Sequence, residues 1–441
     1  MADADSRIAA QSASVSTRFG LTPNQLRGFL AAWGGWALDG MDSFIYALVL
    51  VPALREVLPQ SGIQPTPANV GSYGAILFAL FLIGWGLALV WGPVADRFGR
   101  ARTLMLTILW FSLFTFLSAL ANNVWTLGIF RLLAGMGIGG EWSVGATFIS
   151  EEWPEHRRKM GAGLMHTGYY FGFFLAAIAN FLVGAHYGWR WMFVVGGTPA
   201  LLVAFFYNRV REPARWHEKR QQLGHHWTAL ESFKIPFSPK YRRRTILNSL
   251  YMLASISGLW AGAAYVPTAV TQLATKAGHT AAQAAQLSSY ATSLLAVGTI
   301  FGALITPWLC ERFSRRIALG FFFSMMFIFI AFAFGFVFYF QTGALAWFMA
   351  CLLFLGIGGA NFAVYSVWIP EQYGTECRVS AFAFTTNIGR FAAAGISFLV
   401  AYGVQHFQTL GIPVALTSIG FVIGLLLLPL GEETKGRPLP S

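Results

Sequence analysis

Twelve apolar stretches, each near the length of a bilayer crossing and each closed off by a short polar segment, constrain this chain more than any other feature. They run over 27–50, 72–94, 103–121, 126–150, 161–183, 191–209, 245–268, 288–309, 317–341, 343–369, 380–404 and 412–431. About 20 residues of helix cross the hydrocarbon. Inside lipid a backbone must satisfy its own hydrogen bonds, so runs of this kind fold as helices. Only 11% of the residues are charged, against about 25% in soluble proteins. A large soluble helical protein would need polar helix faces that are missing here. The 47 glycines and 16 tryptophans suit close helix packing and interfacial anchoring.

A formal charge of +12 could suggest nucleic acid, but its placement argues otherwise. Among the 30 basic residues, Arg55, Arg190 and Lys276 fall in loops on one side, and Arg131 and Arg390 lie inside spans. The rest share the opposite side with both termini. This asymmetry predicts both termini in the cytoplasm of a multi-pass inner-membrane protein, with the lipid bilayer as a partner and no nucleic acid. Residues 1–20 lack the apolar core of a signal peptide and are expected to form a disordered cytoplasmic tail. Cys310, Cys351 and Cys377 have neither metal-ligand nor disulfide spacing. No phosphate-cradling glycine loop and no nucleophile–base arrangement occurs, so the expectation is no enzyme, no metal and no cofactor beyond a proton gradient.

The chain also repeats itself. Asp96 and Arg100, after the second span, correspond to Glu311 and Arg315 after the eighth. Glu151, Trp153 and Arg158 correspond to Glu371, Tyr373 and Arg378, and Gly137-Ile138-Gly139-Gly140 recurs as Gly356-Ile357-Gly358-Gly359. A duplicated six-helix unit follows: 21–210 and 244–432, joined by a cytoplasmic linker over 211–243 and ending in a tail over 433–441.

These landmarks carry a resemblance. Gly92-x3-Asp96-Arg97-x-Gly99-Arg100 resembles the signature loop of the major facilitator superfamily. Arg131-x3-Gly135-x-Gly137-x-Gly139 resembles its second motif, and Arg211-Glu212-Pro213-Ala214-Arg215-Trp216 is similar to the stretch after its sixth span. More narrowly, Asp39-Gly40-Met41-Asp42, Gly139-Gly140-Glu141-Trp142, Glu152-Trp153-Pro154 and Asn387-Ile388-Gly389-Arg390-Phe391 resemble the sialate:proton and aromatic-acid:proton symporters. Ala101 and Pro307 depart from the superfamily pattern. The resemblance implies an all-α membrane protein of twelve helices in two pseudo-symmetric bundles. It also implies a central cavity lined by spans 1, 4, 7 and 10.

The signature loops are expected to gate. Asp96 with Arg97 and Arg100, Glu151 with Arg158, and the equivalents Glu311, Arg315, Glu371 and Arg378 could latch the halves on the inside. Partly exposed pairs give only about 0–1 kcal/mol each, so several must act together. The competing account is a topology determinant with surface ion pairs.

Five ionisable residues remain deep in spans: Asp39, Asp42, Arg131, Glu141 and Arg390. Each costs at least about 2.5–3.5 kcal/mol at mid-bilayer, which marks them as functional candidates. Arg390 offers a planar fork suited to a carboxylate, or else holds a structural pair near a helix break. Asp39 and Asp42 share a helix face, and two acids so close in a dry site favour proton binding. Either this pair or Glu141 then couples to protons, with Arg131 nearby; helix–helix hydrogen bonding, for instance between an acid and Arg131, is the alternative. Three acids and two arginines sum to −1, which fits electroneutral entry of an anion with a proton and equally a cation uniporter. Tyr46, Tyr170, Tyr251, Trp260, Tyr265, Asn361, Tyr365 and Asn387 are further substrate-binding candidates, with Tyr169, His166 and Asn248 weaker still; packing explains any one of them alone.

The expected function is proton-coupled uptake of a small organic anion (a carboxylate, sugar acid or aromatic acid) by alternating access in a monomer. Two other readings stay open: a porter of a neutral sugar or polyol, and a non-transporting sensor with the same fold.

Overall fold

The computed structural model describes residues 20–206, 209–223 and 228–440. The predicted N-terminal tail falls, except for Gly20, outside the described residues. Twelve rods follow one another: α1 (Pro23–Gln60), α2 (67–98), α3 (Arg100–Ser118), α4 (Val124–Glu152), α5 (158–187) and α6 (189–206), then α7 (242–276), α8 (Ala281–Arg312), α9 (315–339), α10 (344–372), α11 (378–407) and α12 (411–430). Seven of these segments are individually long and apolar enough to cross a membrane, and an eighth if the bent α1 is one span. Several overrun the expected spans, as helices do when they continue past the hydrocarbon. Short helices at Ala214–Leu223 and Ala229–Lys234 sit in the linker.

Local chemistry sets the helix starts. Thr22 and Thr280 make reciprocal capping boxes with Gln25 and Gln283. Asn123 and Ser314 accept from the amides of Thr126 and Ile317. Helix α3 follows Gly99, whose φ of +114° favours glycine, and it has no cap of its own. Instead Glu212 of the linker accepts from the Ala101 and Arg102 amides at 3.0 Å each. Glu433, after α12, treats the Arg315 and Arg316 amides at the start of α9 the same way. The duplication therefore extends to the residue that caps each third helix.

Helices come close where side chains vanish. A Cβ on Gly40 of α1 would meet the Tyr169 carbonyl of α5 at 2.0 Å, so the two backbones are in contact there. Outward faces carry Phe181, Leu201, Leu399 and Leu426, all largely exposed, as lipid-facing residues should be. Four rods of the second half are interrupted: α7 at Tyr265, α10 at Ala360, α11 at Ile388 and α12 at Ser418.

Candidate substrate and proton site

The break in α11 places the key cation. Asn387 ends one helical segment and Arg390 lies in the first turn of the next. Arg390 is 3% exposed. Its guanidinium lies 3.7 Å over the Trp85 ring of α2, Nε donates to Asn387 Oδ1 at 3.3 Å, and Tyr169 of α5 is its other polar neighbour. Asn387 in turn donates across the seam to the Gly139 carbonyl of α4 at 3.3 Å. Among the described residues no carboxylate pairs with Arg390. Its site lies between the two halves, against three helices of the first.

The four charged groups of the first half sort into two pairs. Arg131 grips Asp42 with two bonds of 3.2 and 3.1 Å, and Thr115 donates to the same carboxylate at 3.0 Å. Tyr46, Phe81 and Phe193 surround the guanidinium at 4.7, 4.9 and 5.6 Å. Asp39 and Glu141 instead lie carboxyl against carboxyl, with Glu141 resting on Gly35 one turn earlier in α1. Among the described residues neither carboxyl accepts from an N–H or O–H donor. Asp39 and Asp42 share a helix face as expected, but the structure separates their surroundings.

Sequence reading placed several polar aromatics at the cargo that the structure uses elsewhere. Tyr46 is a wall of the Arg131 cage. Tyr251 donates to the Leu427 carbonyl at 2.8 Å and stacks on Trp368. Tyr365 shares a 2.7 Å hydrogen bond with Ser255, and Asn248 bonds Gln372. The spans were readable, but the rotation of each about its axis was not. Tyr265 is half-buried at the α7 break, Asn361 donates to Gly358 and keeps a bare buried Oδ1, and Tyr170 meets Thr299 of α8. The Trp260 side chain lies outside the described residues. What sequence reading missed is the cage that Trp36, Trp85, Trp142 and Phe362 build with Tyr169 around the seam. The available signal was tryptophan at mid-span, since tryptophan prefers the interfaces.

At the end of the bundle carrying the termini, the matched loops interlock. Arg100 forks onto Glu151 at 2.8 and 3.2 Å, and Arg378 of the other half reaches the same carboxylate. The repeat does likewise: Arg315 forks onto Glu371 at 2.8 Å twice, and Arg158 crosses to it at 2.9 Å. Asp96 pairs with Arg100 at 3.2 Å and accepts from the Val379 and Ser380 amides at the start of α11, where a helix N-terminus favours negative charge. Glu311 takes Lys159 at 3.2 Å.

Three expectations are thereby corrected. Glu151 does not pair with Arg158, because the partners exchange between halves. Arg97 meets the Phe98 ring rather than Asp96. Except for Lys159–Glu311, the pairs are buried rather than partly exposed, because the halves close over them.

Residues 433–440 are part of this closure. Thr434 donates to Glu371 at 2.6 Å, Arg378 donates to the Pro440 carbonyl, and Arg215 of the linker to that of Leu439. Burial pushes the Glu433 carboxyl up, but the Lys435, Arg315 and Arg316 amides and the Ser314 hydroxyl outweigh it and hold it below the usual carboxylate range.

Two six-helix halves joined at one end and enclosing a buried cation at mid-depth define a multi-pass membrane transporter, not an enzyme. The chain belongs to the Major Facilitator Superfamily, whose pattern matches residues 32–398. It is similar to the probable 4-methylmuconolactone transporter of Cupriavidus pinatubonensis, 29% identical and covering 94% of this chain and 92% of that one. The niacin transporter NiaP of Acinetobacter baylyi is 26% identical over 92% and 94%, and the sialic acid transporter NanX of Escherichia coli 23% over 95% and 96%. These relatives agree with the branch that the sequence motifs resemble. Among solved structures, the proton:xylose symporter XylE bound to 6-bromo-6-deoxy-D-glucose shares the fold, with a TM-score of 0.77 at 19% identity over 94% of this chain and 98% of that one.

Proposed function

We propose that this chain is a monomeric inner-membrane symporter that takes up a small organic anion together with a proton by alternating access. The observation that carries this reading is Arg390: a buried guanidinium at the seam, mid-bundle, with no carboxylate counter-ion among the described residues. A buried unpaired charge is costly, and a cargo anion removes that cost while touching both halves, as alternating access requires. Relatives named for niacin, sialic acid and a muconolactone support a small acid as cargo.

The proton has a natural place between Asp39 and Glu141. Two carboxyl groups in contact can share a hydrogen bond only when one carries a proton, whereas the Asp42 carboxylate is already clamped by Arg131. With Asp42 and Arg131 neutralising each other, one proton on the acid pair and one anion on Arg390 leave the deep site with a single negative charge. The latched end faces the cytoplasm on the positive-inside argument, so release of cargo to that side requires the latch to open.

Reconstituted Arg390→Ala tests the reading. Uptake of an organic anion driven by an inward proton gradient should fall at least about 100-fold, with Arg390→Lys recovering little of it because the fork is lost. Unchanged uptake by a folded Arg390→Ala protein rejects the proposal.

A further inference from the structure

His166 stands on α5, 4% exposed, and among the described residues neither ring nitrogen has a hydrogen-bond partner. Its ring lies parallel to Phe362 of α10, 6.3 Å away at 6°, so it faces the other half directly. Tyr170, Trp142 and Trp36 complete the enclosure at 6.0, 6.1 and 6.5 Å. Trp142 commits its indole N–H to Ser366 across the seam, but Trp36 Nε1 is buried with no partner among the described residues. Each such atom has given up its hydrogen bonds to water and received none in return. Three of them in one aromatic cage, against the moving seam, break the rule that buried polar groups are satisfied, and that rule is broken mainly where function requires it.

We propose that His166 and Trp36 form a second polar subsite that receives a hydroxyl group of the transported anion, opposite Arg390. A neutral imidazole presents one donor and one acceptor, and an indole only a donor. A hydroxyl can donate to the imidazole while accepting from the indole, whereas a methyl group leaves all three atoms bare. A second carboxylate would bring another negative charge toward Asp39, one turn from Trp36 on α1, and Glu141, next to Trp142 on α4. The two subsites are linked by a continuous aromatic rail: Trp36 to Tyr169 at 5.0 Å, Tyr169 to Trp85 at 6.4 Å, and Trp85 to the Arg390 guanidinium at 3.7 Å. One molecule with an acid at one end and a hydroxyl at the other fits this layout. The subsite rests on the reading of Arg390 as the anion site.

Uptake of matched acids by reconstituted protein tests it: benzoate against 4-hydroxybenzoate, and hexanoate against gluconate. Wild type should favour the hydroxylated member of at least one pair about tenfold or more in kcat/KM, because a site built to bond a hydroxyl rejects the analogue without one. His166→Leu should abolish that preference by slowing only the hydroxylated acid, and His166→Gln, which retains a donor and an acceptor, should restore part of it. A wild type without preference, or His166→Leu with the preference intact, overturns the subsite and leaves the Arg390 reading standing. A wild type that moves none of the four acids overturns both.

Discussion

Glu151 and Arg378 come from opposite halves of the molecule, yet each is fully buried in the other's company, with Arg100 forked onto the same carboxylate. Glu371 repeats the arrangement with Arg315 from its own half and Arg158 from the other. Each acid thus ties two arginines, one per half, and the latch is symmetric about the seam. Removing one partner of a buried pair costs about 3–5 kcal/mol, which would move an equilibrium between closed and open ends by a factor of about 100 or more.

Cys377 offers a native reporter of that equilibrium, being a buried free thiol one residue from Arg378. In a Cys310→Ser, Cys351→Ser background, Glu151→Gln should raise Cys377 alkylation by an impermeant maleimide applied from the terminal side at least tenfold. A rate equal to that of the unsubstituted latch would show that the pairs do not hold this end shut.

Asp39 and Asp42 should give opposite phenotypes despite lying one helical turn apart. Asp39→Asn, like Glu141→Gln, should keep substrate exchange while losing proton-driven accumulation, because the shared proton site is gone. Asp42→Asn should instead strand Arg131 in its aromatic cage, lowering thermal stability and yield, since unpairing a buried charge costs about 3–5 kcal/mol. Parallel exchange, accumulation and melting measurements on the two variants check the division.

Glu433 predicts a pH dependence in the closure at the terminal end. Its carboxyl is held below the usual range in the folded protein, so its contribution is complete above the unfolded pKa of about 4.3 and is lost as pH falls through the lower folded value. The melting gap between wild type and Glu433→Gln should therefore stay constant from pH 8 to pH 6 and close only under strong acid. A gap that closes near pH 6 would contradict the assignment.

Gly40 should resist any side chain. Its missing Cβ would lie 2.0 Å from a backbone carbonyl of α5, which cannot swing away as a flexible side chain could. Gly40→Ala should separate α1 from α5 and shift Tyr169 away from Trp36, lowering anion affinity about tenfold or more alongside stability. Tryptophan-fluorescence titration of the purified variant reads both effects.

Much of this was legible in the sequence because membranes impose coarse, periodic rules. Apolar length gave the spans, and the matched Asp96/Glu311 and Glu151/Glu371 landmarks gave the duplication. Burial cost alone marked Asp39, Asp42, Arg131, Glu141 and Arg390. Partner choice was hidden, because Glu151 finds Arg378 rather than Arg158 only when two distant loops close over each other. The same holds for Tyr251 and Tyr365, whose helices were read correctly but whose faces turn toward their own half.

The amino-acid sequence by itself determined that the chain is a duplicated bundle of membrane helices with a few charges kept in its interior, since hydrophobic length and charge placement are properties of the chain in order. Tertiary structure alone decided which charges meet: Asp42 with Arg131, Asp39 with Glu141, and Arg390 with an aromatic ring. Those pairings depend on helix rotation and on contacts across the seam, and a linear pattern of residues leaves both free.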